Sequence, residues 1–245
     1  MIGLLKKIIG TGVVTEAYNE HPAPERFRGE LVLFDKECGL CGECAKSCPT
    51  GALEIKNNLL KVNHKACIFC GRCVTACEKQ QIFHSQKDKL ATLNGNLSPE
   101  SSGELLKGRI RKMLGRSLHI RHVDVGSCNA CDFEMTALSN PIYDLQQYGI
   151  DFVASPRHAD MLMVTGVVTR NLTQALLMTY EAVPAPKLVM AVGACAASGQ
   201  VFGESYAIQG GVDKLVPVDI YVPGCPPRPQ ALLYGLLLAL DRLGK

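Results

Sequence analysis

The chain of 245 residues lacks any apolar run long enough to cross a bilayer. Its longest uncharged stretch near the C-terminus, Ala231 to Leu240, falls well short of the roughly twenty residues a spanning helix requires. An export signal is also missing, because MIGLLKKIIG sets its lysines inside the apolar run and no small-residue cleavage site follows. Without export, the twelve cysteines do not read as a disulfide framework, and the compartment they imply is the reducing cytoplasm. Neither GxGxxG nor a P-loop occurs, and no residue set forms a nucleophile or a hydrolytic metal site. There is no low-complexity tract, and a hydrophobic content of 47% predicts one or two globular domains.

Eight of the cysteines fall in two runs of one spacing. CGLCGECAKSCP supplies Cys38, Cys41, Cys44 and Cys48, and CIFCGRCVTAC supplies Cys67, Cys70, Cys73 and Cys77. Two passes of C-x2-C-x2-C-x3-C within forty residues are the ligand pattern of a two-cluster ferredoxin, whose fourth cysteine serves the other cluster. Three thiolates on a short turning loop reach one cubane, and the fourth, a helical turn later, points at its neighbour. The predicted sets are Cys38, Cys41, Cys44 and Cys77 for one 4Fe-4S cluster, and Cys67, Cys70, Cys73 and Cys48 for the other. Zinc is the alternative, but a four-thiolate zinc site needs only two separated CxxC pairs and leaves the extra cysteines without a role. Pro49 completes the first run, whereas Glu78 stands where the second would carry proline.

Taken in order, residues 1 to 10 predict a short amphipathic helix with Met1, Leu4, Leu5, Ile8 and Ile9 on one stripe. It would either pack on the chain's own core or serve as a foot on a membrane subunit or lipid surface. EHPAPERFR (20–28) reads as an extended linker. Residues 30–84 form the cysteine-rich domain, with strands at 31–34, 50–55 and 59–62 and a turn at Asn57-Asn58. Hydrophobic periodicity fades from residue 85 to 104, which predicts a domain boundary. A basic amphipathic helix follows from Glu104 to about Arg116, either a solvated face or a docking helix. Residues 118–245 alternate strands (119–125, 150–154, 161–165, 188–192, 218–222) with helices (129–139, 172–183, 229–243). Near-continuous apolar strands such as MLMVTG predict an open parallel sheet covered on both faces. The expected fold is a two-cluster ferredoxin-like α+β domain followed by an open, flavodoxin-like α/β domain.

The last four cysteines each follow a predicted strand: Cys128 and Cys131 after Val125, Cys195 after Val192, and Cys225 after Val222. Carboxyl ends of strands in open α/β sheets converge on one crevice, where four thiolates suit a third cubane. Gly126, Gly193 and Gly224 would let backbone approach it closely. The alternative is four ordinary small buried residues. Three oxidised clusters with twelve thiolates would add about −6 to the formal charge of +3, leaving roughly −3 and no case for nucleic acid.

The segments GSCNACDFE, SPRHADMLMVTGVVTRN, GACAASG and VPVDIYVPGCPPRPQALLYG resemble the family shared by nickel-iron hydrogenase small subunits and the 20 kDa subunit of complex I. TEAYNEHPAPERFRGELVL with the two cysteine runs resembles the 23 kDa ferredoxin-type subunit of complex I and its formate hydrogenlyase counterpart. The resemblance implies a fusion of two subunits, with Cys128, Cys131, Cys195 and Cys225 holding the cluster nearest a large-subunit active site. CxxC at 128–131 is similar to hydrogenase small subunits, whereas complex I relatives carry adjacent cysteines there. AASGQVF after Cys195 departs from the Gly-Gly pair common in relatives. Glu134 matches a glutamate beside that cluster, or else stabilises a helix start. Arg157 and His158 match a family motif as structural or cluster-proximal groups. The implied function is electron transfer in a membrane-associated hydrogenase, beside a large subunit, antiporter-like membrane subunits and a ferredoxin-type donor or acceptor. A complex I-like, nickel-free oxidoreductase and a non-catalytic zinc scaffold are the other readings.

Overall fold

The computed structural model describes residues 2–12, 14–15, 23–34, 38–93 and 117–240. The basic helix expected at 104–116, the start of the 20–28 segment and the end of the last helix beyond Leu240 lie outside the described residues. The first helix forms as α1 (Ile2–Thr11), and Leu4, Leu5, Ile8 and Ile9 are all exposed on it.

In the cysteine-rich half, β1 (Leu31–Leu33) enters the first loop and α2 (Glu43–Lys46) follows it. The β2 (Leu53–Lys56) and β3 (Leu59–Val62) strands form a hairpin. Asn57 and Asn58 turn it, both at φ 55°, the positive-φ pair that a two-residue turn demands. The second loop leads into α3 (Arg72–Ala76), and β4 (Ile82–His84) returns antiparallel to β1. The two loops repeat each other in backbone detail. Leu40 and Phe69 have φ of 51° and 53°, and Gly42 and Gly71 have 81° and 80°. The internal symmetry in the spacing is therefore a symmetry of conformation. Leu31, Leu53, Leu60 and Ile82 make the core between the loops.

The other half is built on β5 (Leu118–Asp124), α4 (Ala130–Ala137), β6 (Ile150–Phe152), β7 (Met161–Thr165) and β8 (Val168–Thr169). It continues with α5 (Arg170–Ala182), β9 (Leu188–Val192), α6 (Gly193–Ser198), β10 (Ile208–Gly210), β11 (Ile220–Val222) and α7 (Pro229–Ala239). Five strands form one parallel sheet in the order β11-β9-β7-β5-β6. All residues of β7 and β9 are buried, as their unbroken apolar sequences predict for a sheet covered on two sides. Met135 on α4, Leu138 just after it, and Leu232 and Leu236 on α7 cover one face. Leu176, Ala196 and Ala197 from α5 and α6 cover the other.

Three features differ from the sequence-based expectation. Cys195 sits in α6, which starts directly after β9, because the alanines of GACAAS continue as a helix until Gly199 stops it at φ 74°. The β8–β10 pair is too short for its periodicity to register. Residues 85–93, expected as linker, are tied down: Ser85 bonds Gly29 and Glu30, and Thr92 bridges Tyr221 beside the sheet edge, with Leu90, Ala91 and Thr92 buried.

Gly166 closes the turn after β7 at φ 84°, where a Cβ would press into the Gly126–Ser127 peptide, 2.5 Å from the Gly126 carbonyl carbon. Gly166→Ala should lose about 1–3 kcal/mol to backbone strain, more with the displaced peptide. Chemical denaturation of the loaded protein checks this, and wild-type stability would contradict the packing described.

Candidate iron-sulfur sites

Cys38, Cys41, Cys44 and Cys77 line one cavity of about 170 Å³, walled by Ile55, Leu60 and Ile82. Cys67, Cys70, Cys73 and Cys48 line a second, tighter one under Leu31 and Leu53. The fourth cysteine of each run thus faces the other run's three. The cause is local: Cys48 and Cys77 follow one-turn helices that carry them across the pseudo-twofold axis. Each then accepts an N–H bond from four residues on, Ala52 to Cys48 Sγ at 3.2 Å and Gln81 to Cys77 Sγ at 3.3 Å. Phe69 N–H points at Cys67 Sγ at 3.4 Å.

Burial dominates the proton affinity of the innermost thiols. It pushes Cys67 up to about 12 and Cys73 up to about 11. At Cys48 burial works in the same direction, but N–H groups of Thr50, Ala52 and Leu53 and the Thr50 hydroxyl outweigh it and hold the thiol below its ordinary value. Cys67 and Cys73 are therefore protonated near neutral pH and become anionic only when metal replaces the protons.

The third set gathers at the carboxyl ends of β5, β9 and β11. The strand order, read from β6, is 2-1-3-4-5, so the chain reverses direction across the sheet between β5 and β7, and ligand crevices open at such a point. Cys131 is buried on α4, Cys195 is half-buried on α6, and Cys128 and Cys225 are exposed at the rim. Burial first, then the neighbouring thiols, push Cys131 up to about 12 and Cys195 up to about 11. Gly193 makes the approach possible: a Cβ there would stand 2.7 Å from Cys131 Sγ. Thiols drawn from three strand ends suit an iron-sulfur cubane in kind and number. Among the described residues, no three His, Cys, Asp or Glu side chains close on a single-ion site.

Beneath this crevice lies a polar network that spacing alone does not reveal. Asp124 accepts bonds from the N–H groups of Gly126 and Ser127 at 2.8 and 2.7 Å, shaping the turn before Cys128. The Ser127 hydroxyl donates to Asp132 Oδ2 at 2.5 Å, and the fully buried Thr165 hydroxyl donates to Asp132 Oδ1 at 2.7 Å. His122 Nε2 lies 2.8 Å from Thr165 Oγ1 and 3.0 Å from Asp132 Oδ1. The residue beside Cys131 is thereby fixed to the ends of two strands. Only the tertiary fold brings these groups together.

Glu134 is half-buried on α4. Burial pushes its carboxyl up, opposed by the positive charge of Arg228. Arg157 and His158 are not brought to the cysteines. Both lie on a short turn leading into the amino end of β7, whereas the crevice opens at the carboxyl ends. The two halves of the chain meet where Arg228 lies 5.0 Å over the Phe27 ring, beside Arg28, whose Nη1 donates to the Cys70 carbonyl at 2.6 Å within the cysteine-rich half. A cleft of about 370 Å³ runs between Phe69 on the second loop and Cys225 on the crevice rim.

Comparison with known proteins places two families on this chain. Residues 128–239 match the family "NADH ubiquinone oxidoreductase, 20 Kd subunit", and residues 31–78 match "4Fe-4S dicluster domain". The chain is 49% identical over 134 residues to a probable membrane-bound hydrogenase subunit of Pyrococcus furiosus, covering 55% of this chain and 80% of that protein. It is 45% identical over 138 residues to formate hydrogenlyase subunit 7 of Escherichia coli, covering 56% of this chain and 54% of that protein. It is 49% identical over 115 residues to an NADH-quinone oxidoreductase subunit of Geotalea daltonii, covering 47% of this chain and 67% of that protein.

Thr165→Val keeps the shape of the side chain but leaves Asp132 short of one donor. The expected loss is about 1–3 kcal/mol of stability. Denaturation midpoints measure it, and no change would mean the network carries no weight.

Proposed function

The chain belongs to the family of the 20 kDa subunit of NADH ubiquinone oxidoreductase and carries a 4Fe-4S dicluster domain ahead of it; from this premise we propose that it is the electron-transfer subunit of a membrane-associated nickel-iron hydrogenase of the formate hydrogenlyase or energy-converting kind. The observation that carries the reading is the gathering of twelve cysteines into three separate quartets within one chain.

In this reading Cys38, Cys41, Cys44 and Cys77 hold one 4Fe-4S cluster, Cys67, Cys70, Cys73 and Cys48 hold a second, and Cys128, Cys131, Cys195 and Cys225 hold a third. When bound, such clusters supply reversible one-electron transfer. The chain's own part is spacing, shielding and tuning. Leu31, Leu53, Leu60 and Ile82 exclude water between the first two sites. N–H groups aimed at Cys48, Cys67 and Cys77 lower the cost of charge on sulfur. The second loop borders the cleft shared with Cys225, which supports a path in which the second quartet's cluster exchanges electrons with the third's.

Exposed Cys41 marks the side for a ferredoxin-type donor or acceptor. Exposed Cys128, Cys225 and Phe133 mark the side for a large subunit that carries the hydrogen chemistry. No helix among the described residues is long and apolar enough to cross a membrane. The exposed stripe of α1 suits attachment at the inner face of the cell membrane, beside antiporter-like subunits. The Geotalea similarity favours one second reading, a complex I-like oxidoreductase without nickel. CxxC at Cys128 and Cys131 weighs toward hydrogenase, and two CxxC pairs in the large subunit's sequence would decide.

Anaerobically purified chain should carry about twelve iron and twelve sulfide per molecule. Cys48→Ala should remove or alter the resonance of the second quartet's cluster while that of the first persists, although Cys48 lies in the first run. Stoichiometric zinc without sulfide would overturn the reading.

A further inference from the structure

Lys65 lies two residues before Cys67, at the entrance to the second cysteine loop. Its ammonium reaches across to the other half of the chain. There it stands 3.1 Å from Asp213 Oδ2 and 3.7 Å from the centroid of the Tyr221 ring. The Tyr221 hydroxyl donates to the same carboxylate oxygen at 3.1 Å, closing a three-membered set. The Lys65 side chain is 23% exposed and Tyr221 only 6%, whereas the Asp213 side chain is 35% exposed, so the ammonium and the ring are shielded while the carboxylate keeps one side to solvent. Tyr221 is also gripped through its backbone, exchanging N–H···O bonds of 2.8 and 2.9 Å with Thr92.

The positions on each side matter. Tyr221 lies on β11, four residues before Cys225. Asp213 lies on a turn packed against α6, which carries Cys195. One lysine beside the second quartet thus holds two elements that present half of the third. We propose that Lys65, Asp213 and Tyr221 form a joint that fixes the gap between the second and third quartets, and so sets how fast an electron crosses it. This rests on the electron-transfer reading above. An ion pair alone would be a weak fastener, because desolvation offsets much of its attraction. The ring beneath the ammonium and the shared hydroxyl bond give the joint direction, as a tether of unspecified geometry would not. Lys65, Asp213 and Tyr221 are positioning residues, none of them a ligand.

The test uses the full, anaerobically loaded chain and the variants Lys65→Met and Lys65→Arg. Hydrogen exchange at the Thr92 and Tyr221 amides reads opening of the joint without reference to any cluster. Magnetic coupling between the second and third clusters, read by electron paramagnetic resonance, reports the gap. Lys65→Met should speed exchange at both amides by about tenfold, equivalent to about 1.4 kcal/mol, and weaken the coupling while each cluster keeps its own signal. Lys65→Arg should restore both, since a guanidinium can pair with Asp213 and stack on Tyr221. If Lys65→Met fails to load clusters, Asp213→Asn, outside every cysteine loop, is expected to behave the same way. Wild-type exchange and coupling in Lys65→Met or Asp213→Asn would overturn the joint, as would faster exchange with unchanged coupling. Wild-type protein without iron and sulfide would instead overturn the electron-transfer reading, while the exchange data would still report whether the contact holds.

Discussion

Cys67 and Cys131 at about 12, with Cys73 and Cys195 at about 11, are thiols whose surroundings reject a bare negative charge. Burial imposes this, and the charges that act on them are mainly those of other thiols, which add to the penalty. Metal is the species that can take the protons' place and offset the burial, so loading and folding are coupled wherever these thiols form the core. In the cysteine-rich half that is literally so. Cys44 and Cys73 sit in the same small apolar cluster as Leu31, Leu53, Leu60 and Ile82, and short strands with one-turn helices add little else. The α/β half differs in degree, because Cys131 is the one crevice cysteine within the two large apolar layers that sandwich its sheet.

That contrast explains where precision is held. In the first half the backbone itself aims at sulfur, through paired left-handed residues in both loops. In the second, the sheet fixes strand ends and a polar network finishes the placement. Asp132, the residue next to Cys131, accepts bonds from Ser127 before it and from Thr165 on the neighbouring strand. The crevice is thus positioned by the most buried part of the protein, although two of its cysteines face solvent.

Much of this is legible in sequence, for identifiable reasons. Spacing reports reach, so the two runs of C-x2-C-x2-C-x3-C already suggest the grouping in which Cys77 lines the first run's cavity and Cys48 the second's. Unbroken apolar runs report burial on both faces, so β7 and β9 are placed to the residue. Local chemistry that depends on distant partners stays hidden. The helix around Cys195 reads as loop, and residues 85–93 read as linker although Thr92 bonds Tyr221. The Asp132–Thr165–His122 network spans more than forty residues and leaves no periodic trace. Arg157 and His158, matched to a family motif as structural or cluster-proximal groups, lie on the turn before β7, at the end of the strand away from the crevice.

The uneven depth of the third quartet has a bearing on assembly. Cys131 is sealed inside, while Cys128 and Cys225 form an open lip. Dioxygen and chelators would meet the lip first, so a subunit waiting for its neighbour ages from that edge inward. If a large subunit docks over the lip, as proposed above, that exposure ends, and the order of assembly becomes a matter of chemical survival as well as of geometry.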